Sequence, residues 1–295
     1  MRTLHLTAEP DLRQDETYIT VILKGVPMPA NPIRTRRFPE EPPSRPAPLL
    51  PTTVFASFKG GVWKTSLAVA TAERLAWAGL HVLLITSDRQ EDARSRLGIK
   101  PNEPMIARRE YDRGSVTVLA ARQDQAIELL YEKGPTRLGI GNYDLAIVDT
   151  PPEEHGGSLP GVYLVAITDG TDAARNLLAT LKTTPDNTEI MLVRVHRIPS
   201  EEWEQEVGVL ERLSQRSLHY LDEPLPRVDA VKEACDNGRS VWSLPRRKTV
   251  LEFLSGIDTL AQTVWHRLGR HQPWPPMPPP GSTPLHVPGW THDAE

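Results

Sequence analysis

The amino-acid sequence predicts an α/β fold in which a mostly parallel β-sheet is flanked by helices on both faces. Short runs that are apolar throughout recur along the chain, as expected of strands buried on both faces. Segments with helical spacing of apolar residues lie between or after these runs, and this alternation is typical of parallel sheets with crossover helices. The predicted strands cover residues 52–58, 81–87, 116–120, 144–149, 161–168 and 189–195.

The first strand and the helix after it form the clearest pair. TTVFASF (52–58) is apolar and rich in β-branched residues, and KTSLAVATAERLAWAGL (64–80) has helical spacing and a glycine near its end. Ligands of such sheets bind beyond the carboxyl ends of the strands, so the residues that follow the strands are candidates for a site. Further helices are predicted at 124–133, 171–182, 201–213, 228–236 and 248–268.

Both ends of the chain are unusually rich in proline. Of the 29 prolines among 295 residues, ten lie in residues 1–51 and eight in residues 273–288. Proline lacks the amide donor and restricts the residue before it, so these stretches are predicted to be extended, polyproline-like arms. We therefore expect an N-terminal segment and arm at 1–52, a folded domain at 53–270 and a proline-rich tail at 271–295.

Composition excludes several classes of protein. A single cysteine, Cys235, leaves no disulfide and no paired thiols for a metal or cluster, and a core thiol on a helix is the expected role for it. No apolar run approaches the roughly 20 residues that span a bilayer, and the first residues lack a secretion signal, so we expect a cytoplasmic protein. Because the net charge is −4, any nucleic-acid binding must come from a local basic patch.

The loop after the first strand, FASFKGGVWKTS (55–66), is similar to a phosphate-binding loop. The ordinary pattern G-x-x-x-x-G-K-[ST] fails at Phe58 and Trp63, but the variant K-G-G-x-G-K-[ST] fails at Trp63 alone. Backbone amides, the helix N-terminus and two lysines favour phosphate there. The alternative is a chance glycine turn. The residues expected to bind nucleotide are Lys59, Gly60, Gly61, Val62, Trp63, Lys64, Thr65 and Ser66.

Acidic residues after two other predicted strands favour the phosphate site over a chance turn. Asp88 follows the strand at 81–87, and Asp149 ends the apolar run of YDLAIVDTPPE. A carboxylate at that point can hold the hydration shell of Mg²⁺, to which Thr65 can add its hydroxyl. Asp149 could instead cap the next segment. An isolated histidine, His155, is expected to be solvated.

With these motifs in order, the chain resembles the ParA/MinD family of variant phosphate-loop ATPases, from about residue 53 to 268. FKGGVWKTSLAVATAERLAWAGLHVLLITSDRQ, YDLAIVDTPP and LPRVDAVKEACDNGRSVWSLP carry the resemblance. It implies ATP and Mg²⁺ as cofactors and an ATP-sandwiched homodimer. It further implies that Lys59 reaches the partner's phosphates, that Lys64 binds the β- and γ-phosphates, and that Asp88 positions the attacking water. Thr65 and Asp149 would serve the metal.

The sequence departs from the family pattern at three positions. Trp63 replaces a glycine, at a cost of roughly 1–2 kcal/mol if the residue has positive φ. Its indole must find room beside the phosphates or turn towards the dimer partner, so we expect slowed ATP hydrolysis. Thr86 stands where the family usually has the first aspartate of D-x-D, and Arg194 occupies the region where the family has an asparagine that reads the base.

The branch of the family follows by exclusion. A single cysteine excludes the iron–sulfur carriers of the family, which need paired cysteines. The sequence shows no basic amphipathic C-terminal helix of the kind that binds MinD-like proteins to membranes. It also shows no cluster of tyrosines at its end, which the tyrosine autokinases have. A ParA-like, nucleoid-associated protein with a ParB-like or other stimulating partner remains. Arg246, Arg247 and Lys248 are candidates for non-specific DNA binding, or else a solvated charge cluster. A degenerate, non-hydrolysing scaffold or regulator is the second hypothesis.

Overall fold

The computed structural model describes residues 47–57, 63–87, 92–100, 106–138, 141–151, 159–168, 177–178, 181–182, 184–185, 188–195 and 200–287. The chain divides into two units, 1–43 and 44–295, and all of the described residues belong to the second.

A single nine-stranded sheet runs through the described residues, in the order β8-β7-β6-β1-β5-β2-β4-β3-β9. Seven neighbouring strands, from β8 to β4, are parallel, whereas β3 is antiparallel to both β4 and β9. The strands are β1 (Thr52–Ala56), β2 (His81–Thr86), β3 (Ile106–Glu110), β4 (Ser115–Ala120), β5 (Leu145–Asp149), β6 (Tyr163–Thr168), β7 (Glu189–Arg194), β8 (His219–Tyr220) and β9 (Leu285–His286).

Helices cover both faces of this sheet. They are α1 (Lys64–Trp77), α2 (Asp92–Arg96), α3 (Gln123–Ile127, continued by a π-helical turn over Glu128–Lys133), α4 (Ser200–Ser214), α5 (Asp229–Asp236) and α6 (Lys248–Arg267). Of the helix predicted at 171–182, only residues 177–178 and 181–182 are described, and they are helical. The predicted α/β fold is confirmed.

Two hydrophobic cores lie on opposite faces of the sheet. Alternate residues of β1 point into different cores, because successive strand residues face opposite ways: Phe55 packs with α1 and α6, whereas Val54 and Ala56 pack with α3 and α4. The middle strands are therefore buried on both faces, as their continuous apolar sequence predicts.

The described part of the C-terminal tail is extended, and it lies against the folded region. Trp274 and Met277 pack against the core that contains α1 and α6. Further along, the Gly281 amide donates to the Ser243 carbonyl, and β9 pairs with β3 at the sheet edge. The last helix ends at Arg267, and the contacts of the domain continue into the extended chain that follows. Within the described residues, no helix is both long and apolar enough to cross a bilayer.

Candidate nucleotide site

The candidate site lies where β1, β5 and β2 end side by side. Register places Asp149 opposite Phe55 of β1 on one side and opposite Thr86 of β2 on the other. The chain then leaves β1 and enters α1 at Lys64. Several predicted site residues lie outside the described residues: Lys59, Gly60, Gly61, Val62 and Asp88, together with His155.

Trp63 is the residue that precedes α1, and its backbone is left-handed, with φ 65° and ψ 14°. This conformation explains why glycine is suited to the position. The indole packs edge-on against Phe253 of α6, with ring centroids 5.7 Å apart, and joins the core as a half-buried side chain. The ring therefore packs against α6 of the same chain.

Lys64 and Asp149 form a buried ion pair at the centre of the site. The Lys64 Nζ lies 2.5 Å from the Asp149 Oδ1, and the side chains are 7% and 0% exposed. Because a buried charge is costly without a partner, each residue compensates the other. In a phosphate site, Lys64 would bind phosphate and the Asp149 carboxylate would serve Mg²⁺.

Hydrogen bonds hold the ends of the three strands together. The Thr150 hydroxyl donates to the Phe55 carbonyl at 2.9 Å, and the Ser87 hydroxyl donates to the Asp149 carbonyl at 3.2 Å. Thr86 is 1% exposed, and its hydroxyl has no hydrogen-bond partner within the described part of the chain. The position where the family has an aspartate is therefore buried beside Asp149.

The residues present suit Mg²⁺ held mainly by nucleotide and water. Thr65 is in the first turn of α1, and the Asp149 carboxylate lies at the same edge of the sheet. One hydroxyl and one carboxylate match the few protein ligands that Mg²⁺ takes in phosphate sites. The described residues contain no group of three or more His, Cys, Asp or Glu side chains that could bind a metal alone.

Sequence comparison agrees with this geometry. Residues 53–241 match the family described as the CobQ/CobB/MinD/ParA nucleotide binding domain. The chain belongs to this family. The match covers 189 of 295 residues (241 − 53 + 1), including the phosphate loop and the end of β5. A search of curated protein sequences found no significant match.

Solved structures of ParA/MinD proteins have the same fold. An aspartate-to-alanine variant of McdA from Cyanothece, in complex with ATP, gives a TM-score of 0.53 at 16% identity over 76% of this chain and 98% of that one. The pNOB8 ParA bound to nonspecific DNA gives 0.52 at 18% identity, over 76% and 100%. MinD from Aquifex aeolicus gives 0.50 at 16% identity, over 76% and 100%.

In this ParA/MinD-family chain, Arg194 is a core residue. It is 2% exposed at the end of β7, and it pairs with Glu206 and stacks over the Trp203 ring at 5.3 Å. Burial raises the pKa of Glu206, and the Arg194 charge opposes that rise. The guanidinium therefore contacts side chains of α4.

The predicted DNA-binding cluster divides into two parts at the start of α6. Arg247 and Lys248 are exposed. Arg246 is half-buried, and it donates to the carbonyls of Leu244 at 3.1 Å and Pro278 at 2.6 Å. Burial lowers its pKa. Arg246 therefore holds the C-terminal segment in place, and Arg247 and Lys248 remain available to a ligand.

Arg96 is a residue beside the loop that no sequence motif indicated. It lies at the end of α2 and donates from its Nη1 to the Ser66 hydroxyl in the first turn of α1, at 2.9 Å. The only sequence signal was an arginine soon after the second strand, which is too common to point to a site.

Proposed function

We propose that this chain is a ParA-like ATPase that forms an ATP-sandwiched dimer, binds DNA non-specifically and helps to segregate or position a plasmid, chromosome or other cargo. The observation that carries the proposal is the buried Lys64–Asp149 pair at the end of β5, beside the start of α1. A lysine and an acid at these positions are the protein groups that a phosphate loop needs for nucleotide and Mg²⁺.

The proposed roles follow the order of the motifs. Lys64 binds the β- and γ-phosphates, while Thr65 and Asp149 serve the Mg²⁺. The signature lysine, Lys59, reaches the phosphates of the partner subunit, and Asp88 positions the attacking water. The backbone amides proposed to bind the phosphates are those of residues 60–66. The ATP complex of the Cyanothece McdA variant, a protein of the same fold, supports ATP as the ligand.

Non-specific DNA binding is proposed for the exposed start of α6, at Arg247 and Lys248. The pNOB8 ParA, which has this fold, was solved on nonspecific DNA. Two cations at a helix N-terminus suit phosphate, because the helix dipole adds to their potential. The proposed location is the cytoplasm, on the nucleoid, and a ParB-like protein or another activator is proposed to stimulate hydrolysis.

Two observations favour a second function, that of a weakly hydrolysing scaffold or regulator. Trp63 holds a left-handed backbone conformation at the loop, and the buried Thr86 replaces an acid. Both changes leave Lys64, Thr65 and Asp149 in place, so they favour bound nucleotide with slow turnover. ATP turnover with and without DNA separates the two functions.

Sedimentation with a slowly hydrolysed ATP analogue and Mg²⁺ tests the proposed dimer. We expect the parent to become a dimer, and Lys59→Ala to bind nucleotide with impaired dimerisation. Lys64→Ala should lose nucleotide binding. It also leaves the buried Asp149 without its lysine, which costs about 3–5 kcal/mol, so a thermal melt must accompany it. A parent that stays monomeric at saturating nucleotide contradicts the proposal.

A further inference from the structure

Arg96 approaches the phosphate loop from α2. Its Nη1 lies 2.9 Å from the Ser66 Oγ, and Ser66 is the third residue of α1. The buried Cys235 of α5 lies beside the same two side chains: burial raises the pKa of its thiol, and the Arg96 charge opposes that rise. Arg96 thus stands at the junction of α1, α2 and α5.

Backbone contacts fix the end of α2 in this position. Gly98 and Gly238 approach so closely that a Cβ on Gly98 would lie 2.7 Å from the Gly238 carbonyl oxygen, and both glycines have positive φ. Arg109 of β3 donates to the carbonyls of Leu97 at 3.1 Å and Gly98 at 3.0 Å. Arg96 is therefore anchored to the sheet and to α5 through its neighbours.

The guanidinium of Arg96 contacts two neutral groups, the Ser66 hydroxyl and the Cys235 thiol. The Arg96 side chain is half-buried, and its Nε is buried with no hydrogen-bond partner among the residues that the structure describes. Within the same residues it forms no ion pair. Asp236 already pairs with Lys232 at 2.6 Å, and Lys232, more than Arg96, lowers the pKa of Asp236. Because this half-buried guanidinium is partly withdrawn from water and has no ion-pair partner among the described residues, it fits an incoming anion.

Helix geometry places Arg96 on the side of the loop away from Asp149. Residues two apart on an α-helix point about 200° apart, so Ser66 faces away from Lys64 and its partner, Asp149. We infer that Arg96 is an additional phosphate-binding residue, which engages the phosphate chain of the nucleotide from the side opposite the metal-binding carboxylate. This inference rests on the proposed nucleotide site and adds to it a residue that sets affinity.

Calorimetric titration of ADP and of a slowly hydrolysed ATP analogue tests this inference. We expect Arg96→Gln to lower the affinity for both nucleotides by about tenfold. The reason is that it loses a charge-assisted hydrogen bond to phosphates that ADP and ATP share. Arg96→Lys keeps the positive charge but loses the planar set of guanidinium donors. Its nucleotide affinity should therefore lie between those of the parent and Arg96→Gln. Arg239→Gln, at an exposed arginine next to α5, is the matched control and should bind like the parent.

Each result has one meaning. Unchanged affinities in Arg96→Gln would show that Arg96 only fastens α2 to α1. A loss confined to the ATP analogue would place Arg96 at the γ-phosphate and overturn the opposite-side geometry. Thermal unfolding without nucleotide shows whether a variant has lost its fold and not only its binding. If Arg96→Gln unfolds at a lower temperature than the parent, the test passes to Arg96→Lys. Equal nucleotide affinities of Arg96→Lys and the parent would then overturn the inference. If the parent binds neither nucleotide, the proposed function itself fails.

Discussion

At the scale of single residues, Trp63 makes two opposing contributions to the free energy of unfolding. Its left-handed backbone costs about 1–2 kcal/mol relative to glycine. Its half-buried indole packs on Phe253 and recovers about 2 kcal/mol, roughly half of what removing a fully buried tryptophan costs. The slow hydrolysis expected from the sequence stays a prediction, and the contact with Phe253 gives a structural reason for tryptophan at the position.

We predict that Trp63→Gly lowers the free energy of unfolding by about 1 kcal/mol and that Trp63→Ala lowers it by about 2 kcal/mol. Both variants lose the ring, but only glycine relieves the backbone strain, so their difference measures that strain. Urea unfolding of the nucleotide-free proteins measures both. A Trp63→Gly variant more stable than the parent would show that the contact with Phe253 contributes little.

Glu73 gives the domain a predicted dependence on pH. It is 2% exposed in α1 and accepts a hydrogen bond from the Tyr111 hydroxyl at 3.2 Å. Burial raises its pKa to about 7 from a usual value of 4.5, while hydrogen bonds from Ser240 and Tyr111 oppose the rise. The folded state therefore binds this proton more tightly than the unfolded chain does, and stability falls as the pH rises from about 4.5 to about 7.

The change between pH 5 and pH 7.5 should be about 2 kcal/mol, and Glu73→Gln should remove it. Urea unfolding of the parent and the variant at both pH values measures the difference, in which the contributions of other groups cancel. Glu252→Gln, at an exposed glutamate of α6, should keep the slope of the parent. The same slope in Glu73→Gln would show that Glu73 titrates normally.

At the scale of elements, the start of α6 has neighbouring residues with different roles: Arg246 has a structural contact, and Arg247 and Lys248 are proposed to bind DNA. Since Arg246 holds Pro278, we predict that replacing only Arg247 and Lys248 by alanine weakens DNA binding without disturbing the fold. Each lost phosphate contact should reduce the slope of log K, the DNA-binding constant, against the logarithm of salt concentration by about one unit. Fluorescence anisotropy at several salt concentrations measures this. Lys232→Ala with Arg239→Ala removes two other exposed cations as a control, and equal binding by both double variants would contradict the assignment.

The C-terminal segment is held to α1 and α6 by Trp274. Its indole donates to Asp258 at 3.1 Å, stacks with Arg74 at 4.1 Å and meets Trp265 edge-on at 5.6 Å. Arg74 is 0% exposed and donates to Asp258 at 2.5 Å. We predict that Trp274→Ala destabilises the domain by about 3 kcal/mol, as measured by thermal or urea unfolding. Pro276→Ala, at an exposed position nearby, should change little, and similar midpoints for both variants would refute this role.

At the scale of the whole molecule, local patterns predicted six of the seven parallel strands, all but the two-residue β8, and the acid at the end of β5, because central strands have continuous apolar sequences. β3 was missed, since Arg108 and Arg109 interrupt its apolar pattern. Arg109 is nevertheless buried, because its guanidinium caps carbonyls at the end of α2. The Phe253 partner of Trp63 and the anchoring of the tail depend on contacts between distant residues, which no local pattern reveals.

The contacts of Arg74 with α6 and with the C-terminal segment also determine when α1 can complete its packing during synthesis. Arg74 is made 184 residues before Asp258, its ion-pair partner, and 201 residues before Pro275, whose carbonyl accepts its other hydrogen bond. At about 5–20 residues per second, the ribosome needs on the order of 10–40 s to cover the first of these separations. Throughout that interval α1 carries a guanidinium that the finished core buries, so this helix cannot reach its final packing until Asp258 and Pro275 have been translated.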